Sequence, residues 1–313
     1  MAALAPVTVA TCGSVNVDVT AFCERLPRAG ETVPGSRCTI SLGGKGANQA
    51  TAVARLGARS VFIGRTGVDA IGTLARGRLT ELGVDLQHLA SEPASSTGVA
   101  VISVDRQAEN CIVVVGGANQ TLGHADVQGA QQALAAARVL LLQLEIPMTA
   151  NLAAAAAVRS AQGLVILDPA PAPAGGLSDQ VLRAVDILTP NETETEALVG
   201  IRPASRAEAA AAAARLLARG APVAIIKMGA RGVYFQDARN AGFVPPFPVT
   251  AVNSVGAGDA FNGGLAVALA QGEALPAAVR FAAACGALAT TGPGGAASAP
   301  ALAAVQRLLS GSG

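Results

Sequence analysis

Short β-branched and aliphatic runs alternate along the chain with longer Ala- and Leu-rich stretches whose apolar positions recur at helical spacing. "VTVATCG" at 7–13 predicts a strand, "ANQATAVARLGA" at 47–58 a helix ending at Gly57, and "SVFIGRTG" at 60–67 a second strand. The same spacing gives a helix at 69–82, a strand at 139–143, a helix at 149–161 and strands at 164–167 and 185–189. A helix at 205–219, a strand at 222–227, a helix at 259–271 and a helical run at 276–290 complete the series. This alternation is the signature of βα units. It predicts an α/β fold with a large, doubly wound, mostly parallel sheet flanked by helices. Segments 14–42 and 97–115 break the rhythm, because "NVDVTAF", "CTISL", "GVAVISVD" and "NCIVVV" follow one another without intervening helices. They are expected to pair into a small β-sheet lid over one end of the large sheet. The tract "AEAAAAAARLLARG" reads as an outer helix, since Ala is the best helix former and Arg206, Glu208, Arg215 and Arg219 leave it a polar face.

In an open parallel sheet, ligands bind beyond the carboxyl ends of the strands. Polar residues gather at those ends here. Asn16 and Asp18 follow the first strand, Glu145 follows 139–143, and Asp168 opens "DPAPAP" after 164–167. Asn191 and Glu194 lie in "PNETE" after 185–189, "MGARG" follows 222–227, and "NSVGAG" precedes the helix at 259. Any one of these positions is explained as well by capping and turn formation. Their convergence on one rim, together with glycine-rich turns, is what points to a site.

Two clusters carry the chemistry. In "NSVGAGDAFNGG" at 253–264, Gly256, Ala257 and Gly258 stand before a lone carboxylate, Asp259, at a helix start. Backbone N–H groups are free there and glycine lets the chain curl close to an anion, so this turn suits charge building on a phosphoryl group in transit. Asp259 beside it is the candidate base. Its place at a helix N-terminus predicts a lowered pKa, which phosphoryl transfer tolerates because its loose transition state demands positioning more than basicity. "GGKGANQA" at 43–50 is not a Walker A loop, since Gly46 follows Lys45 where Ser or Thr would hold magnesium. By itself it reads equally as a turn into a capped helix. The nearest dinucleotide-type match, "GPGGAA" at 292–297, follows a helix and not a strand, which argues against a dehydrogenase.

Composition narrows the classes further. With 313 residues, 51% hydrophobic and 14% charged, the chain is globular, one large domain with at most a small appendage. Apolar runs such as "VLLLQLEIP" are broken before membrane-spanning length, and no basic residue precedes the apolar N-terminus as in a secretory signal. The expectation is a cytoplasmic protein without a membrane partner. A net charge of +1, aromatic residues at 3% and no Trp give no reason to expect nucleic acid. Five scattered cysteines suggest neither a disulfide frame nor a zinc site, Cys285 reads as a small buried hydrophobe, and His88 and His124 are expected in loops.

Together, "GGKGANQA" and "VGAGDAFNGG", with "QLE" and "PNETE" in order between them, resemble the signatures of the ribokinase-like family of sugar and nucleoside kinases. The likeness runs from about Val7 to about Pro300. It implies one catalytic domain over 1–313 with the lid strands inside it, and transfer of a phosphoryl group from ATP, with Mg2+, to a hydroxymethyl group. On the resemblance Asp259 is the catalytic base, and Gly256, Ala257 and Gly258 form the anion hole. Asn16, Asp18, Gly44, Lys45, Asn48 and Glu145 match positions that hold sugar hydroxyls, and carboxylates and amides suit vicinal diols. Asn191 and Glu194 match positions that arrange magnesium and phosphate through water, and Gly229 and Gly232 match a loop beside the nucleotide. Lys227 stands where Thr is frequent and is kept as a nucleotide contact. Ala283 stands where a polar side chain often meets the nucleoside, which leaves nucleotide selectivity open. Asn253 stands where many members hold a potassium ion with Asp. An uncharged amide there predicts weak or absent activation by K+, and a simple turn cap explains the residue equally well.

D-ribose is the substrate the resemblance favours, phosphorylated at its 5-hydroxyl. A nucleoside kinase of the pseudouridine type, a kinase for another ketose or a deoxy-sugar, and a sugar-binding sensor without catalysis are the alternatives. A homodimer joined through the lid sheet is also implied.

Overall fold

The computed structural model describes residues 7–311. Its thirteen strands are β1 (Thr8–Cys12), β2 (Asn16–Cys23), β3 (Gly35–Gly43), β4 (Arg59–Gly67), β5 (Asp85–Glu92), β6 (Gly98–Val104) and β7 (Asn110–Val115), then β8 (Val139–Leu142), β9 (Leu164–Leu167), β10 (Ile187–Leu188), β11 (Val223–Lys227), β12 (Val233–Asp237) and β13 (Ala241–Val244). Nine form one sheet in the order β13-β12-β11-β10-β9-β8-β1-β4-β5. Pairing is parallel from β11 through to β5, and the hairpin β12–β13 adds an antiparallel edge. The other four form a small mixed sheet, β3-β2-β6-β7, in which β2 runs parallel to β6.

Strand side chains alternate between faces, and both faces of the large sheet are covered. From β8, Leu140 and Leu142 enter one core with Val165, Leu167 and Leu182, beneath the helices Met148–Ser160 and Arg206–Ala218. Val139 and Leu141 enter the other core with Val9, Ile166, Ile225, Phe261 and Leu265, beneath the helices Ala257–Ala270 and Leu275–Ala289. This is the doubly wound arrangement expected from the sequence. Cys285 lies fully buried in the second core.

The observed elements depart from the expected ones at several places. The helix expected to open at 47 begins at Lys45, with Gly44 at φ 86° as its N-cap, so the glycine cluster ends as a helix start. β5 and the β12–β13 hairpin had no counterpart in the sequence reading. β5, "DLQHLASE", is an edge strand whose mixed polar pattern hides its period, and His88 lies in it and not in a loop. His124 likewise opens the short helix His124–Gly129.

Candidate active site

The helices Lys45–Arg55 and Ala257–Ala270 pack against each other at the carboxyl edge of the large sheet, and two glycines set how closely. A Cβ at Gly263 would stand 2.6 Å from Ala52 Cβ and 3.2 Å from Gln49 O, while one at Gly264 would stand 2.7 Å from Cys285 Sγ. The second helix is therefore seated tightly between its neighbours. That closeness brings Asn48 and Gln49 to Asp259. Asn48 Nδ2 donates to Asp259 Oδ2 at 2.9 Å, and Gln49 Nε2 donates to Asp259 Oδ1 at 3.1 Å.

Asp259 is buried, and burial pushes its carboxyl up to about 6 despite the pull of Lys45. The neighbouring Asp168 carboxylate adds to the rise, and the bonds from Asn48 and Gln49 oppose it. The lowered pKa expected from the helix N-terminus is thus corrected. A terminal dipole is worth about 0.3–1 kcal/mol at an exposed site, less than it costs to take a carboxylate out of water. The Asp259 carboxylate is more basic than its helix position alone suggested.

Asn16 and Asp18 stand on β2, beside the glycine turn. Asn16 is buried, and its Oδ1 accepts from Asn119 Nδ2 at 2.8 Å. Asp18 packs over Gly43, where a Cβ would come within 2.1 Å of its Oδ1. Burial, and then the Glu145 carboxylate, raise Asp18 to about 6. Glu145 Oε2 accepts from Ser14 Oγ at 2.5 Å and from the Lys45 backbone N–H at 3.0 Å. Burial alone would depress the Lys45 ammonium, but the carboxylates of Asp259, Asp168, Glu145 and Glu194 together hold it above its ordinary value. Lys45 thus sits in the field of acids from both halves of the site. Gly44 is required sterically as well, since a Cβ there would stand 2.8 Å from Asn16 N.

On the other side, Gly256 caps the helix Ala257–Ala270 in the left-handed region at φ 82°, and a Cβ there would stand 3.0 Å from Gly295 Cα. The segment "GPGGAA" thus packs directly on the turn. Ala257 N donates to Ser254 O at 3.2 Å, and the first intrahelical bond runs from Ala260 N to Gly256 O at 2.9 Å. The amides of Gly258 and Asp259 lie ahead of that bond, as an anion site requires. Lys227 Nζ is 3.4 Å from the position of a Cβ on Gly258, and it donates to Asp168 Oδ1 at 3.0 Å. Asn191 bridges to Lys227 across the backbone and caps the helix Glu192–Val199 reciprocally with Glu194. Burial raises the Glu194 carboxyl, with Lys227 opposing and Asp168 reinforcing the shift. Gly229 at φ 52° and Gly232 at φ 97° bracket the turn after β11, and a Cβ at Gly232 would stand 2.5 Å from Val244 O.

Asn253 lies beside the Gly256 turn, next to the "GPGGAA" segment. Its Nδ2 donates to Pro293 O at 2.7 Å and its Oδ1 accepts from Val255 N at 2.9 Å, so both ends of the amide fasten the loop. Four participants were absent from the sequence-based site: Gln49, Gln143, Ser14 and Asn119. Asp168 was placed on the rim without a role. Gln49, Gln143 and the glycines Gly263 and Gly264 lie inside quoted motifs, while Ser14 and Asn119 lie in segments whose sequence shows no pattern. Among the described residues, no group of three or more His, Cys, Asp or Glu is placed to hold a metal ion.

The model of the pfkB family carbohydrate kinases matches residues 8–302. A ribokinase of Haemophilus influenzae is 37% identical over 293 residues, covering 94% of this chain and 95% of the relative. A deoxyribokinase of Salmonella typhi is 32% identical, covering 96% and 98%. Among solved structures, Arabidopsis thaliana ribokinase complexed with ribose and ATP superposes with a TM-score of 0.89 at 34% identity, covering 98% of this chain and 99% of the other.

Proposed function

The chain belongs to the pfkB family of carbohydrate kinases, and from that premise we propose that it transfers the γ-phosphoryl group of ATP to the 5-hydroxyl of D-ribose, giving D-ribose 5-phosphate. The observation that carries the reading is the buried carboxylate of Asp259, held by two side-chain amides and following directly on Gly258, beside which the Lys227 ammonium lies. A base next to an anion cradle has a use in phosphoryl transfer and none in a protein that only binds sugar.

In this reading Asp259 takes the proton from the attacking hydroxyl. Asn48 and Gln49 fix its two oxygens, and with its carboxyl near 6 it is ionised at neutral pH yet basic enough to accept the proton. Asn16, Asp18, Gly44, Lys45, Asn48 and Glu145 hold the sugar. Asn16 turns its Nδ2 towards it as donor, because its Oδ1 is engaged by Asn119, and Asp18 is the matching acceptor. Gly256, Ala257 and Gly258 shape the cradle, whose donors are the Gly258 and Asp259 amides. Lys227, Asn191, Gly229 and Gly232 border the nucleotide. Glu194 and Asn191 offer hard oxygen donors that fit Mg2+ arriving with the phosphates, since magnesium favours one or two carboxylates, waters and substrate oxygens over an all-protein cage. When bound, that ion neutralises phosphate charge.

Asn253 is read as replacing a bridging monovalent cation with its own amide, which predicts weak activation by K+. The small sheet is read as a homodimer surface, for Ile40, Val101 and Val113 lie in cross-strand register and are 62%, 50% and 59% exposed. ATP as substrate and five cysteines, all free, fit a cytoplasmic setting. Among the described residues no helix is long and apolar enough to cross a membrane.

A panel of pentoses, deoxypentoses, ketoses and nucleosides scored by coupled ADP release tests the substrate. D-ribose should give the highest kcat/KM. A maximum on 2-deoxyribose, which the deoxyribokinase relative makes the specific rival, or on a nucleoside would overturn the assignment.

A further inference from the structure

Gln49 is completely buried in the helix Lys45–Arg55, and all its side-chain bonding is directed at charged groups or at the residue that orients it. Its Nε2 spends one N–H on Asp259 Oδ1 at 3.1 Å and the other on Asp168 Oδ2 at 3.0 Å. The second carboxylate oxygen of Asp168 is taken by Lys227 Nζ at 3.0 Å. Gln49 Oε1 in turn accepts from Gln143 Nε2 at 2.7 Å, which fixes the amide so that its nitrogen faces the acids. Gln143 itself is seated by Gly13, where a Cβ would stand 2.1 Å from Gln143 Oε1. An unbroken line therefore runs from Gln143 through Gln49 to two acids, and from one of them to the lysine beside Gly258.

We propose that Gln49 is a positioning residue for phosphoryl transfer, its single amide holding the base Asp259 and the lysine-paired Asp168 in one fixed register. The inference rests on the reading of Asp259 as the base. Two buried carboxylates that share a neighbourhood repel each other, and a donor between them lets both stay ionised. The same amide links the half of the site that holds sugar to the half that holds phosphate, because Lys227 is tied to Asp259 through Asp168 and Gln49. The charged groups facing Asp259 are Lys45 from its own helix partner and Asp168 beyond β9, with Lys227 of β11 and Glu194 of the helix Glu192–Val199 next behind Asp168. Removing the Gln49 donors leaves Lys45 and Asn48 to support the ionised base without their help.

The test is the pH profile of kcat for ribose phosphorylation in Gln49→Glu and Gln49→Leu, beside the unmodified enzyme. In Gln49→Leu the acid limb should move up by about one pH unit and kcat at pH 8 should fall about 10- to 100-fold, with the KM for ribose changed less than about threefold. Gln49→Glu, which keeps the shape and puts a third carboxylate beside the other two, should move the limb further. Gln143→Met, which frees the Gln49 amide to turn, should shift it in the same direction by less. An acid limb that stays in place in Gln49→Glu would overturn the proposal, and so would a loss confined to KM. Should Gln49→Leu fail to fold, Gln49→Glu decides alone. Failure of the base assignment is distinguishable, since it would appear as near-normal turnover in Asp259→Asn whatever the Gln49 variants do.

Discussion

Replacing Asp259 with asparagine should remove turnover and at the same time make the protein more stable at alkaline pH. The two effects have one cause, a carboxylate kept where water cannot reach it. Its folded pKa near 6 lies above the ordinary value of 3.8, so the buried site favours the protonated acid. The group therefore contributes stability that is fully present below about pH 4 and is lost as pH rises through about 6. At pH 8 the folded state carries the cost of the charge. At 1.36 kcal/mol per pH unit that cost is up to about 3 kcal/mol. Asparagine is neutral at every pH and keeps the shape. One of its faces meets Asn48 Nδ2 or Gln49 Nε2 as donor against donor, yet Asn48 Oδ1 is buried without a partner and can accept once that amide turns over. The fold is thus retained. Loss of the base should cost about 10²–10⁴ in kcat, or about 3–5 kcal/mol of transition-state stabilisation, while calorimetry should find ATP binding nearly unchanged. Urea unfolding at pH 4.5 and pH 8 checks the stability half, with the variant's advantage expected to grow with pH. Equal advantage at both pH values would refute the burial argument, and near-normal turnover would refute the base.

Asp18→Ala should raise the KM for ribose by the equivalent of about 2–4 kcal/mol and leave ATP affinity nearly unchanged by calorimetry, because truncation strands the sugar's hydroxyls. An equal loss for the nucleotide would put Asp18 on the wrong side of the site. The exposed stripe Ile40–Val101–Val113 should make the protein dimeric at micromolar concentration by light scattering, and a monomeric mass there would count against the lid interface. In potassium titrations at constant ionic strength the unmodified enzyme should respond weakly and Asn253→Asp strongly. The carboxylate loses the donor to Pro293 O and turns oxygen towards oxygen, an arrangement a cation relieves; steep activation of the unmodified enzyme would refute this.

Much of the site was legible in the sequence because parallel-sheet topology converts strand ends into neighbours. Asn16, Glu145, Asp168 and Asn191 are far apart in the chain, yet each follows a strand of one sheet or stands at its rim. The β5 and β13 edges were not legible, since an edge strand needs apolar residues on one side at most and so shows little period, and β12, whose consecutive Val233, Tyr234 and Phe235 are all buried, shows no alternation either. For Asp259 the local rule pointed the wrong way. The pull of a helix N-terminus on a carboxyl is outweighed here by the cost of burial, and the packing that buries Asp259 against helix Lys45–Arg55 joins segments more than two hundred residues apart in the chain.

The glycines tie these levels together. "GAGDAFNGG" drew notice for its first glycines, which free the backbone for an anion, but Gly263 and Gly264 do equal service one turn later. Were either a larger residue, the helices Lys45–Arg55 and Ala257–Ala270 or Ala257–Ala270 and Leu275–Ala289 would have to part. In the first case Asn48 and Gln49 would no longer reach Asp259. The base would then sit nearer water, with a lower pKa and no fixed aim. On the proposed reading, the small residues of the motif thus set both where charge is received and how basic Asp259 is, through the spacing of packed helices.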